Sequence, residues 1–291
     1  MNRLLYSVLR ILPDNAYISL KYLYHFGKLP NLKQPKTFNE KLQWLKLYDR
    51  RPLYEIIVDK YEAKKYISNI IGEQYVIPCY GVWDKFEDIN FEILPKQFVL
   101  KTTHDCGGVY ICKDKASFDK ETARRFLEKH LKANYFLEGR EWPYKNVKPR
   151  ILAEAYMENL KTHDLRDYKF FAFDGKTKLL FVATDRQKEQ EEVKFDFYDI
   201  EFNHLPIKNG HPNSSGSIQK PESFEEMVRI ADKLSEGIPH VRVDFYEVNG
   251  RPYVGELTLS HFSGIVPFEP EEWDRRMGDW IVLPAKTRIK A

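Results

Sequence analysis

Only three cysteines occur in 291 residues, Cys79, Cys106 and Cys112, and no two form a CxxC pair, so neither a disulfide framework nor a zinc ribbon can be built from them. A reducing, cytoplasmic setting is the expectation. No stretch approaches the roughly 18 to 20 apolar residues that a spanning helix requires. The nearest is the N-terminal stripe Leu4, Leu5, Val8, Leu9, Ile11 and Leu12, which is broken by Arg10, ends at Pro13 and precedes no small-residue cleavage site. It reads as a short helix packed on the body, with a basic amphipathic anchor at the inner face of a membrane as the alternative. Charge of one sign is scarce too: the net value is +3, and the excess is scattered among acids, which excludes a dedicated nucleic-acid binder. The motifs GxxxxGK[ST] and GxGxxG are absent, so P-loop and Rossmann sites are excluded.

What the chain does have is 43% hydrophobic residues, enough for a sizeable core in a two- or three-lobed enzyme. Helical spacing dominates the first quarter, in "FNEKLQWLKLYDR" and in "YEIIVDKYEAKKYISNIIG", which reads as one helix ending at Gly72. From Gln97 the period shortens to that of strands in "QFVLKTT" and "GGVYICK", followed by a helix opened by Asp119 and a further strand, "RILAEAYM". Asp174-Gly175 and Asn249-Gly250, each between apolar runs, predict two hairpins, and "PESFEEMVRIADKLSEG" between them predicts a helix with Ser223 as N-cap. The fold class is α+β. The boundaries expected are a helical region at 1–75, a small lobe at 76–155 and a larger lobe at 156–291. "NGHPNSSGSIQKP" is the one long loop-rich stretch.

Two constellations carry chemistry. Asp244 and Glu256 fall on the two strands of the second hairpin, on either side of its turn, so their carboxylates lie near each other across the ladder. Hard oxygen donors so arranged suit Mg²⁺, although two solvated strand acids would give the same spacing. Far upstream, Lys101 ends a strand and Gly107 and Gly108 follow in a short loop. A lysine offers a point charge to phosphate, and adjacent glycines let backbone amides approach the same anion; a plain hairpin turn is the competing reading.

In the order of its elements the chain resembles the ATP-grasp superfamily of carboxylate-amine ligases, most closely the TupA-like branch of polysaccharide biosynthesis. The resemblance rests on Asp59-Lys60, "FVLKTTHDCGG" (98–108), "ILAEAYM" (151–157), "DLRDYKFFAFDGK" (164–176) and "VRVDFYEVNGRPYVGELTLSHFSG" (241–264). It implies an ATP-grasp fold, two α+β lobes clasping ATP behind a helical N-terminal cap. Lys60 and Lys101 would contact the phosphates, and the loop from His104 through Gly107 and Gly108 would close over them. Glu154, Tyr156 and Met157 would hold the adenine. Asp244 and Glu256 would hold Mg²⁺, with Thr258 at a position where most of the superfamily has Asn. Lys169, Arg186 and Arg242 would face the transferring phosphoryl group, Arg242 presenting its guanidinium fork to an anionic acceptor.

The resemblance further implies that a hexuronic acid carboxylate is phosphorylated by ATP and then joined to an amino acid or small amine, in capsular or cell-surface glycan synthesis. The partners are then a small-molecule or glycan carboxylate and an amine. A glycosyltransferase of the same pathway, also reliant on a nucleotide and paired acids, is the alternative. A non-catalytic, membrane-associated scaffold is a third reading.

Overall fold

The computed structural model describes residues 11–158, 165–184 and 192–287. The N-terminal stripe up to Arg10, and Arg186, lie outside the described residues.

Four helices open the described chain: α1 (Asp14–Phe26), α2 (Phe38–Tyr48), α3 (Pro52–Val58) and α4 (Lys60–Ile71). A capping box starts α2, in which Thr37 Oγ1 accepts from the Glu40 amide at 3.2 Å while the Glu40 carboxylate accepts from the Thr37 amide at 3.3 Å. The expected single helix through 54–72 is instead divided at Asp59. Its amide still closes onto Glu55, but its carboxylate accepts from the Tyr61 and Glu62 amides, so the residue that ends α3 also caps α4. Continuous apolar spacing hides this break. Lys60 thereby becomes the first residue of a helix, and its amide, with no helical partner, donates to the Thr103 carbonyl at 3.0 Å.

The smaller sheet contains β1 (Cys79–Trp83), β2 (Phe98–Thr102), β3 (Val109–Cys112) and β4 (Ile151–Ala155) in the order β1-β4-β2-β3, all antiparallel. One face is covered by α5 (Lys120–Leu131), whose Ala123 and Leu127 pack with Phe98, Leu100, Ile151 and Ala153. Strand alternation therefore turns Val99 and Lys101 of β2, with Leu152 and Glu154 of β4, to the opposite face. A single turn, α6 (Phe136–Gly139), lies on the way to β4.

The larger sheet runs β10-β9-β5-β6-β7-β8, from β5 (Asp167–Phe173), β6 (Lys176–Thr184), β7 (Lys194–Asp199), β8 (His204–Leu205), β9 (Val241–Val248) and β10 (Arg251–Thr258). Both expected hairpins are present. Their turn residues, Asp174-Gly175 at φ 44° and 81° and Asn249-Gly250 at 54° and 73°, take the left-handed pair that a two-residue turn needs. One face of the sheet buries Tyr168, Phe170, Val243 and Phe245 against α3, α4 and α7 (Phe224–Ser235). The other buries Phe171, Phe181 and Phe197 with residues of α2 and α8 (Glu272–Trp280). The helical N-terminal region is thus part of the core on both faces of this sheet. Ser223 does precede α7, but its hydroxyl donates to Glu247 at 2.6 Å instead of capping the helix. No helix among the described residues is long and apolar enough to cross a membrane.

Candidate active site

Beyond Phe171 and Phe181, the second face of the larger sheet changes from aromatic to charged, with Lys169, Arg242, Asp244, Glu256 and Thr258 on the adjacent strands β5, β9 and β10. The pairing of the two acids depends on a defect. From the turn outward β10 pairs Arg251 with Val248 through Val254 with Phe245, a register that would set Gly255 opposite Asp244. A bulge between Val254 and Glu256 takes up one residue, and Glu256 then pairs directly with Asp244. Gly255 suits the bulge, since a Cβ there would come within 2.9 Å of the Tyr246 ring.

Asp244 is buried and saturated with cations. Arg242 grips it bidentately, Nε to Oδ1 and Nη2 to Oδ2 at 2.7 Å each, and Lys169 donates to Oδ2 as well. Burial pushes its carboxyl up, but Arg242 and then Lys169 outweigh burial and hold it below the usual range. Glu256 is the open partner, its side chain 44% exposed. Burial and Asp244 raise its pKa, yet Lys60, Lys169 and Arg242 bring it below the ordinary value. Thr258 Oγ1 donates to Glu256 Oε1 at 2.8 Å and accepts from Arg242 Nη2 at 3.1 Å. The Arg242 fork is therefore engaged with Asp244 and not open toward an acceptor.

On the smaller sheet, Lys101 and Lys64 each bind one oxygen of the buried Glu154, Lys64 to Oε2 at 2.8 Å. Burial alone would raise Glu154; the two ammonium groups, Lys101 foremost, lower it to about 2. Tyr156 and Met157 continue from β4, both partly buried. The loop after β2 is tied down through Asp105, which accepts from Thr102 Oγ1 and from His130 Nδ1, the latter at 2.5 Å, while its carbonyl accepts from Lys60 Nζ. Gly108 is required by contact, because a Cβ there would fall 1.7 Å from Thr102 Oγ1, and Gly107 by its φ of 99°. His104 is buried with Nε2 donating to the Ala133 carbonyl at 3.1 Å, so its ring serves the loop's packing.

Lys60, Lys169, Arg242, Asp244, Glu256 and Thr258 thus converge. Lys101 and Glu154 form a second group on the smaller sheet, and the loop at 104–108 lies between the two, with Cys106 within electrostatic reach of Glu256. Sequence reasoning missed Lys64, whose only signal was its place one turn beyond Lys60 on α4. It also missed Glu141, a buried carboxyl that burial raises against the pull of Lys46. His261, which accepts from Arg242, and Asn209, which accepts from His261, were missed as well. Asp244, Glu256 and Thr258 are oxygen donors of the kind Mg²⁺ takes, and an ion there would share Asp244 with Arg242 and Lys169, which already bind both of its oxygens.

Several solved structures are similar at low identity. They include the D-alanine–D-alanine ligase from Bacillus anthracis complexed with ATP (19% identity, 70% of this chain and 55% of that one, TM-score 0.41) and its counterpart from Helicobacter pylori (13%, 84% and 69%, 0.44). The ATP-grasp ligase PsnB complexed with a minimal precursor is another (14%, 78% and 61%, 0.41). The chain matches 55% of the Bacillus anthracis ligase and 61% of PsnB, short of two thirds of either. No curated protein matches it. The family model described as TupA-like ATPgrasp matches residues 40–282, from the first turn of α2 through both sheets to just past α8, and the chain belongs to that family of the ATP-grasp fold.

Proposed function

We propose that the protein is an ATP-dependent, ADP-forming carboxylate-amine ligase acting on a hexuronic acid of a cell-surface or capsular glycan or its precursor. The observation that carries this reading is the bulged hairpin that sets Asp244 against Glu256 beside Lys60, Lys169 and Arg242. Cations surrounding an exposed carboxylate suit a ligand that brings both phosphate and a metal ion. Asp244 and Glu256, with Thr258 beside them, would hold Mg²⁺, whose charge offsets that of the phosphates.

Lys60 and Lys101 bind phosphate oxygens, and the backbone at Gly107 and Gly108 covers them. Glu154 and the connection through Tyr156 and Met157 receive the adenine. An oxygen of the substrate carboxylate attacks the γ-phosphorus; the bond to the β–γ bridging oxygen breaks, and ADP leaves. Lys169, Arg186 and Arg242 stabilise the charge on the transferring group. The amine lone pair then attacks the acyl carbon, the carbon–oxygen bond to phosphate breaks, and the nitrogen loses a proton to give the amide. No protein nucleophile takes part. The three proposed regions are 1–75, 76–155 and 156–291, and cytoplasmic action, with the N-terminal segment touching the membrane's inner face, completes the reading.

The test is to incubate the protein with ATP, Mg²⁺, candidate uronates and hydroxylamine. ADP together with a hydroxamate is the expected result. Transfer of an intact sugar from a nucleotide donor with no ATP consumed would overturn the ligase in favour of a glycosyltransferase.

A further inference from the structure

Arg242 carries five N–H donors, and four of them are spent inside the protein. Nε serves Asp244 Oδ1, Nη2 serves Asp244 Oδ2 and Thr258 Oγ1, and Nη1 gives one hydrogen to His261 Nδ1 at 2.7 Å. A guanidinium cannot accept, so His261 Nδ1 holds a lone pair and its proton is on Nε2. That proton goes to Asn209 Oδ1 at 2.8 Å. Asn209 is oriented in turn, because its Nδ2 donates to the Val266 and Pro267 carbonyls at 3.2 and 3.0 Å. The chain thus runs from donor-only guanidinium to acceptor-only backbone, and no link in it can be reversed.

Each member is buried: Asn209 is 1% exposed, His261 2% and Arg242 8%. The His261 ring is caged by Phe171, Phe181 and Phe262, with centroids 5.0, 5.6 and 4.4 Å away. The turn that delivers it is strained. Phe262 and Ser263 both adopt left-handed φ, 46° and 55°, and persist there because α2 grips the turn: Gln43 Nε2 donates to the Ser263 and Gly264 carbonyls at 3.0 and 2.6 Å, and Lys46 Nζ to the Ser263 carbonyl at 2.9 Å. Such strain, held by buried polar groups next to a site, marks a geometry that the surrounding structure over-determines.

We propose that His261, oriented by Asn209, is a positioning residue that locks the Arg242 guanidinium, leaving one Nη1 hydrogen for an oxygen of the anionic ligand. The proposal rests on the ligase reading for its kinetic consequence but not for its geometry. The first experiment is a double-mutant cycle. His261→Phe keeps a ring in the aromatic cage and removes the acceptor; His261→Gln returns an acceptor oxygen. Turnover should fall at least tenfold in His261→Phe with the KM for ATP little changed, recover in part in His261→Gln, and fall hardly further when His261→Phe is added to Arg242→Lys. Equal losses in both backgrounds, or a folded His261→Phe with unchanged turnover, would overturn it. The second experiment needs neither a variant nor activity: ¹⁵N NMR of the histidine rings in the full-length wild type should give His261 as the neutral Nε2–H tautomer. A proton on Nδ1, or a charged ring at neutral pH, would refute the relay. If wild type turns over no ATP with any uronate, the ligase reading fails while the NMR result still decides the positioning.

Discussion

Replacing Lys101 by Met should destabilise the protein in a pH-dependent way that can be worked out from Glu154. In the folded chain this carboxyl titrates at about 2 against an ordinary 4.5, with Lys101 the larger of its two compensating charges and Lys64 the smaller. At about 1.4 kcal/mol per pKa unit the depression represents on the order of 3 kcal/mol, so losing the larger partner should cost about 2 kcal/mol at neutral pH. The sign follows from linkage. A depressed acid contributes stability that is fully present above 4.5 and is lost as pH falls through about 2. The gap between wild type and Lys101→Met should therefore be widest at neutral pH and shrink on acidification through that window, because a protonated Glu154 needs no cation. Urea denaturation of both proteins along a pH series measures the gap. A difference that stays constant with pH, or no destabilisation at neutral pH, would refute the assignment of Lys101 as the main partner of Glu154. Glu154→Gln should abolish this component of the acid dependence.

Other outcomes follow from the same contacts. Gly108→Ala must displace Thr102, and should cost roughly 1 to 3 kcal/mol in urea denaturation, partly recovered by adding Thr102→Ala. Asp105→Asn weakens the ties to His130 and Thr102, so amides at 104–108 should exchange faster by mass spectrometry; unchanged exchange would mean that these bonds do not hold the loop. In wild type the same amides should become more protected with an ATP analogue and Mg²⁺, and equal protection would count against a lid. Arg242→Lys loses the bidentate grip on Asp244 and should lower turnover by about ten- to a hundredfold while changing ATP affinity much less.

The parts of this architecture that were legible in the sequence are those written in local chemistry. Asn249-Gly250 and Asp174-Gly175 state their turns outright, and the β-rich runs "QFVLKTT" and "RILAEAYM" mark β2 and β4. The helix break at Asp59 was not legible, because Ile56, Ile57, Ile67 and Ile70 keep apolar spacing across it and only the carboxylate's bonds to Tyr61 and Glu62 reveal the restart. The bulge was half legible: a glycine in a strand signals one, but the spacing of Asp244 and Glu256 alone does not tell direct pairing from a one-residue offset that would turn Glu256 to the other face. Pairings set by tertiary register left no trace. Lys101 meets Glu154 across a strand pair, and His261 meets an asparagine 52 positions earlier, at the start of the long loop-rich stretch.

The central claim, that this site activates a carboxylate through an acyl phosphate, is tested most directly by oxygen tracing. A uronate labelled with ¹⁸O in both carboxyl oxygens, turned over with ATP, Mg²⁺ and an amine, should deliver one labelled oxygen to each inorganic phosphate released, because that oxygen forms the bond to phosphorus and leaves with it. Amide product accompanied by unlabelled phosphate would contradict the account.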